Sequence, residues 1–233
     1  PNLTDMIPVA LSAKRGGADA ISAINTVRAI TDIDINNFIP LPNIHGKSGI
    51  TGYSGAAVKP IGMRFVSELY NSKELSLPIS AIGGIETWVD ALHYILLGGS
   101  NLQVTTAIMR YGYRIVEDLI EGLSDFMIDR GIVSLDELVG KSAGKLIDPA
   151  DFSTRYQVVS QIDEDKCVGC GQCYISCQDG GNQAIKFDSE TRKAEVDETR
   201  CVGCMLCKHV CPVWDCISSK EVDSSVVKHA AIF

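Results

Sequence analysis

Eight of the nine cysteines fall between Cys167 and Cys211. They form two runs, Cys167-Val-Gly-Cys170-Gly-Gln-Cys173-Tyr-Ile-Ser-Cys177 and Cys201-Val-Gly-Cys204-Met-Leu-Cys207-Lys-His-Val-Cys211, both spaced C-x2-C-x2-C-x3-C. A loop of this kind wraps one cubane with three thiolates, and the fourth cysteine ligates the opposite cluster. On that rule one [4Fe–4S] cluster takes Cys167, Cys170, Cys173 and Cys211, and the other takes Cys201, Cys204, Cys207 and Cys177. Structural zinc asks for two C-x2-C pairs closing one tetrahedron, not duplicated runs of four. Disulfide frameworks belong to oxidising compartments and small secreted domains, and no export signal is read here. One departure stands out: Pro212 follows Cys211, but Gln178 follows Cys177, so a different local chain path is expected after the first run.

The remaining sequence bounds the setting. With 233 residues there is room for more than one domain, and 45% hydrophobic composition suffices for a core. The net charge of -8 and the absence of a Lys/Arg-rich run argue against a nucleic-acid surface. No apolar stretch reaches membrane-spanning length; the run at Tyr94–Leu97 is followed at once by Gly98-Gly99. Oxygen-sensitive clusters without an export signal lead to the expectation of a cytoplasmic protein.

Residues 1–130 alternate between helix-period and strand-like segments. Thr4 or Asp5 is placed to cap a first helix that stops at Gly16-Gly17. Strands are predicted within Ala18–Ile24, Pro78–Ile82 and Asn101–Thr105, and helices over about Val58–Tyr70, Thr87–Leu97 and Tyr111–Asp129. Pro40 to Gly55 reads as irregular. Paired glycines lead from a helix end into a strand twice, at Gly16-Gly17 and Gly98-Gly99. Such units suggest parallel strands with crossover helices, either an open doubly wound sheet or part of a (β/α)8 barrel. A whole barrel needs about 250 residues; if this is one, its first strands are missing. Ser134 to Tyr156 reads as helix plus linker, and short strands at Val158–Ile162 and Ala184–Phe187 flank the first cysteine run.

In a β/α barrel the chemistry gathers at the C-terminal ends of the strands. Those ends are Asn25-Thr26, Gly83-Gly84 and Thr105-Thr106-Ala107. Gly83-Gly84 lets backbone N–H groups approach a phosphate because no Cβ intervenes, and it is equally an ordinary turn. Asn25 and Thr26 either cap a following helix or, as an amide and a hydroxyl, read the edge of a polar heterocycle.

The segments Ala18-Asp-Ala-Ile, Ile24-Asn25-Thr26-Val27, Gly52-Tyr-Ser-Gly55, Ala81-Ile-Gly83-Gly84-Ile85-Glu86 and Leu102-Gln-Val-Thr-Thr106 resemble the second half of a dihydroorotate-dehydrogenase-type FMN barrel. Followed by a two-cluster ferredoxin domain, the arrangement closely resembles the FMN and iron–sulfur subunits of bacterial NAD-dependent dihydropyrimidine dehydrogenases. It is also similar to the C-terminal part of the eukaryotic single-chain enzymes. The fold class implied is α/β: the C-terminal portion of a (β/α)8 FMN barrel, then an α+β two-[4Fe–4S] ferredoxin domain. The expected division is a partial barrel over 1–133, a helix and linker over 134–156, the ferredoxin-like domain over 157–222 and a tail over 223–233.

The resemblance implies reduction of the 5,6-double bond of uracil or thymine. Electrons would pass from NAD(P)H through an FAD- and cluster-bearing partner subunit, then through the two clusters here to FMN. By position, Asn25 and Thr26 match the family's substrate contacts, and Gly55, Gly83, Gly84, Ile85, Thr106 and Ala107 match its FMN contacts. The family's flavin-contacting lysine and its acid cysteine belong to the earlier half of the barrel, so no catalytic residue is expected in this sequence. Cys216 lies outside the ligand set and reads as a small core residue. His209, between ligands, is a candidate for tuning a cluster. Alternative readings are a ferredoxin-like electron carrier on a docking scaffold, and a dihydroorotate-dehydrogenase-like flavoenzyme.

Overall fold

A computed structural model describes residues 5–152 and 157–223. It divides into two compact units, Pro1–Ile147 and Asp148–Phe233. Among the described residues, no helix is long and apolar enough to cross a membrane.

The first unit opens with α1 (Ile7–Arg15). Met6 takes the N-cap position, while Asp5, an expected cap, still accepts a hydrogen bond from the Ile7 amide at 2.8 Å; Thr4 lies outside the described residues. There follow β1 (Ile21–Ala23), β2 (Val27–Ala29), β3 (Asp32–Asp34), β4 (Ile39–Leu41) and β5 (Thr51–Tyr53). The remainder is α2 (Lys59–Asn71), β6 (Ile79–Ile82), α3 (Trp88–Leu96), β7 (Gly99–Gln103), α4 (Thr106–Tyr111) and α5 (Ile115–Asp129). Strands β1, β6 and β7 form a parallel sheet in that order, with Ala23 opposite Ala81 and Ala81 opposite Leu102. Parallel pairing requires crossovers, and α3 supplies the one from β6 to β7. Ala23, Ile79 and Ala81 turn one face of the sheet into the core, with Phe65, Val66 and Leu69 of α2 and Ala91 and Tyr94 of α3.

Three expectations need correction. The segment from Pro40 to Gly55 is not simply irregular: it holds β5, which pairs antiparallel with β2, and most of β4, which pairs with β3 nested between them. Each strand is three residues long, too short for an alternating pattern to register. The helix expected at Tyr111–Asp129 begins later, at Ile115, because Tyr111 is the last residue of α4 and Gly112, at φ 78°, ends that helix. Part of the helix-plus-linker segment consists of short 3-10 turns packed on the first unit. There the Gly140 amide donates to Ile95 O and the Ser142 amide to Leu96 O, both at 2.9 Å, and Leu138 and Ala143 are buried.

Tyr70 shows why two glycines are needed. A Cβ on Gly98 would fall 2.1 Å from the Tyr70 ring, and one on Gly140 would fall 2.2 Å from it. Both glycines also have φ above +70°. Gly98→Ala is expected to cost roughly 2–5 kcal/mol, combining about 1–2 for the left-handed backbone with about 1–3 for overpacking. Chemical denaturation of the purified protein checks this; an unchanged midpoint would refute both the backbone and the packing contribution.

The second unit contains β8 (Gln157–Ile162), α6 (Gln172–Asp179), β9 (Ile185–Asp188), β10 (Lys193–Val196), α7 (Leu206–Val210) and β11 (Ile217–Val222). Strands β8 and β11 pair antiparallel, as do β9 and β10. Each cysteine run thus forms a loop and short helix between strands. The expected tail at 223–233 lies outside the described residues apart from Asp223.

Candidate functional site

The C-terminal ends of β1, β6 and β7 open onto a cavity of about 630 Å³, a size suited to a small molecule or cofactor. Asn25 and Thr26 line it from beyond β1, Gly83, Gly84 and Ile85 from beyond β6, and Thr106 and Ala107 from beyond β7. Gly55 enters from the return of the β2–β5 excursion. All eight residues expected to touch flavin or substrate therefore share one cavity wall. The β2–β5 pairing brings Ser54 and Gly55 back beside Asn25 and Thr26. It requires Gly52, where a Cβ would lie 2.1 Å from the Thr26 hydroxyl.

Asn25 and Thr26 cap no helix, because β2 follows them directly. The Asn25 carbonyl oxygen accepts from the Thr26 amide at 2.7 Å and from the Thr26 hydroxyl at 3.2 Å. The backbone donor fixes which amide atom is the oxygen. The pair is held as a unit on the cavity wall.

The glycines form a cradle that a side chain would fill. Gly55, Gly83 and Gly84 have φ of 89°, 138° and 70°. A Cβ on Gly84 would lie 2.7 Å from the Gly55 carbonyl oxygen and 3.0 Å from the Lys59 nitrogen. Beneath it, the buried Tyr94 hydroxyl donates to the Gly83 carbonyl at 2.6 Å. Burial, aided by the Asp90 charge, pushes this phenol far above its ordinary range, so it remains a donor. Tyr94 reaches from α3 to a loop that follows β6.

Ion pairs tie the surrounding elements together. Lys59 pairs with Asp90, linking the start of α2 to that of α3. Asp90 also accepts from the Thr87 amide at 2.8 Å and the Glu86 amide at 3.1 Å. Burial works to raise this carboxyl, but Lys59 and these amides outweigh it and hold the pKa below the usual carboxylate range. Arg110 of α4 reaches Glu86 at 3.2 Å, and Thr106 donates to the Ser54 hydroxyl at 3.0 Å. Gln103 donates across the sheet to Ser22 at 2.9 Å and Ser80 at 2.6 Å. The Thr87–Asp90 capping box is local to the start of α3, but sequence spacing gave no signal for the pairs whose members lie on different elements.

In the second unit the cysteines gather across the two runs. Cys167, Cys170, Cys173 and Cys211 line one cavity, while Cys177, Cys201, Cys204 and Cys207 line another. The missing proline has a visible consequence. Cys177 lies within α6, which continues to Asp179, whereas α7 ends at Val210 and Cys211 is extended at ψ 123°. A residue before proline is driven out of helical conformation. Each fourth cysteine nevertheless lines the opposite run's cavity.

The thiols fit two four-cysteine clusters, because two separate sets of four line two separate cavities, whereas a tetrahedral zinc site draws its four ligands around one centre. Burial pushes the Cys173 thiol up to about 11, so a metal binding there must displace its proton. Donors already point at the second set. The Ser160 amide reaches Cys201 at 3.4 Å, the Ser160 hydroxyl lies 3.0 Å from Cys207, and the Ala184 amide reaches Cys177 at 3.3 Å. His209, expected as a tuning residue, is exposed and lines neither cavity. Cys216 is buried and lines the cavity of the first set, with its thiol 3.7 Å from the Asp163 carbonyl.

Comparison with known proteins gives these features a context. The dihydroorotate dehydrogenase family model matches residues 1–127, and the 4Fe-4S dicluster domain matches residues 160–219. The chain is 56% identical over 223 residues to the NAD-dependent dihydropyrimidine dehydrogenase subunit PreA of Escherichia coli (strain K12), covering 95% of this chain and 54% of that protein. It is 42% identical over 140 residues to the catalytic subunit of dihydroorotate dehydrogenase B (NAD(+)) from Pyrococcus abyssi (strain GE5 / Orsay), covering 60% of this chain and 44% of that protein. The chain thus spans about half the length of the curated relatives it matches. It belongs to the dihydroorotate dehydrogenase family, extended by a 4Fe-4S dicluster domain, and its cofactors are FMN and [4Fe–4S] clusters.

Proposed function

We propose that this chain serves an NAD(P)H-dependent dihydropyrimidine dehydrogenase, which reduces the 5,6-double bond of uracil or thymine. The observation that carries the reading is the gathering of Asn25, Thr26, Gly55, Gly83, Gly84, Ile85, Thr106 and Ala107 around one cavity at three parallel strand ends. Within it, Gly55, Gly83, Gly84, Ile85, Thr106 and Ala107 hold FMN, and Asn25 and Thr26 orient the pyrimidine. Cys167, Cys170, Cys173 and Cys211 hold one [4Fe–4S] cluster, and Cys201, Cys204, Cys207 and Cys177 hold the other. When bound, FMN supplies hydride chemistry and the clusters supply one-electron transfer. The paired glycines keep the cradle open to backbone N–H donors, and Tyr94 fixes the Gly83 carbonyl beneath it. None of the nine cysteines, all at Cys167 or beyond, is assigned as proton donor to the pyrimidine. The electron source is an FAD- and NAD(P)H-binding iron–sulfur partner, in a cytoplasmic hetero-oligomer.

The test uses the full-length protein, purified anaerobically. Iron, sulfide and FMN are quantified together with uracil-dependent oxidation of a reduced dye. Asn25→Ala is expected to lower uracil turnover by about 10- to 100-fold, the scale of an unsatisfied polar contact, while flavin content stays normal. Turnover equal to that of the parent would remove Asn25 from the substrate site. Clusters without flavin would instead favour an electron carrier, and preference for dihydroorotate would favour the other flavoenzyme reading.

A further inference from the structure

The segments leading into the two cysteine runs are duplicates. Ser160-Gln-Ile-Asp-Glu-Asp-Lys precedes Cys167, and Ala194-Glu-Val-Asp-Glu-Thr-Arg precedes Cys201. Their backbones agree in detail: the Cys167 amide donates to Asp163 O and the Cys201 amide to Asp197 O, both at 3.0 Å. The Asp163 amide donates to Cys216 O at 2.8 Å, and the Asp197 amide to Ala184 O at 2.7 Å. Ser160 and Ala194 therefore occupy equivalent places, each seven residues before the first cysteine of its run. Because the fourth ligands cross, Ser160 lines the cavity of Cys177, Cys201, Cys204 and Cys207, whereas Ala194 lines that of Cys167, Cys170, Cys173 and Cys211.

The Ala184 amide at 3.3 Å from Cys177 and the Asn182 side-chain amide at 3.7 Å from Cys204 also reach the second set, and Cys216 lines the cavity of the first; one further contact is shared by both. The amide after the third cysteine, from Tyr174 or Lys208, bonds the preceding sulfur in both runs. Ser160 differs. It is only 4% exposed, and its hydroxyl lies 3.0 Å from the Cys207 sulfur. An iron-bound thiolate carries no proton, so the hydroxyl must donate. At the equivalent place Ala194 has only a methyl group. Reduction adds negative charge to a cluster and its sulfurs, and a donor aimed at a sulfur stabilises that charge.

We propose that Ser160 makes the two clusters unequal, so that the one held by Cys177, Cys201, Cys204 and Cys207 accepts the first electron. This rests on the two-cluster reading above. Anaerobic titration of the iron-loaded full-length protein with dithionite, followed by electron paramagnetic resonance, is expected to resolve two midpoints. Ser160→Ala lowers the upper one, making that cluster about tenfold harder to reduce, or about 59 mV for a one-electron couple. Ser160→Thr keeps the hydroxyl and restores the parent value. Ala194→Ser raises the lower midpoint and narrows the gap, and it carries the test if Ser160→Ala fails to load iron. A shift in the lower midpoint for Ser160→Ala, equal shifts in both, or none overturns the proposal. Iron content of the parent separates the two levels: protein with fewer than two clusters removes the cluster reading itself and this inference with it.

Discussion

Cys211→Ala will cost the protein the cluster of the first cysteine run, although Cys211 lies in the second. Its sulfur lines the cavity of Cys167, Cys170 and Cys173, because Pro212 releases the chain from α7 in an extended conformation. Alanine offers no replacement ligand, so iron should fall from about eight to about four atoms per chain. The surviving resonance should be that of the cluster on Cys201, Cys204 and Cys207. Cys177→Ala should have the reciprocal effect. Loss of the cluster of the second run on changing Cys211 would defeat the crossed assignment.

Gly84→Ala should release FMN while leaving iron unchanged. The new methyl would sit 2.7 Å from a backbone carbonyl, that of Gly55, at a residue with φ of 70°. The Lys59 Cβ and backbone nitrogen, at 2.9 and 3.0 Å, are as fixed as the Gly55 carbonyl, so none of the three can move without opening the cradle. The left-handed conformation adds about 1–2 kcal/mol, so flavin affinity should weaken by at least about tenfold. Gly144→Ala is the control, since nothing lies within 4 Å of its Cβ position. Flavin titration of the deflavinated full-length protein reads both variants. Equal affinities in Gly84→Ala and the parent would take Gly84 out of the flavin site.

The sequence by itself determined the two cysteine sets proposed as cluster ligands, and the parallel core. A run of cysteines at fixed spacing constrains its own loop, and the crossing of the fourth ligand follows from the cubane's geometry. Glycine pairs entering apolar runs likewise mark the turns before β1 and β7, because backbone freedom is a local property. Tertiary structure alone decided which groups meet the cavities. Tyr94 reaches Gly83 from another element, Lys59 reaches Asp90 across 31 residues, and Gln103 reaches Ser22 across 81. Ser160 meets Cys207 across 47 residues. A hydrogen bond between distant segments leaves no periodic trace in either one. The β2–β5 excursion stayed hidden because three-residue strands hold too few alternations to be read; its pairing exists only once both ends have been brought to the same cavity.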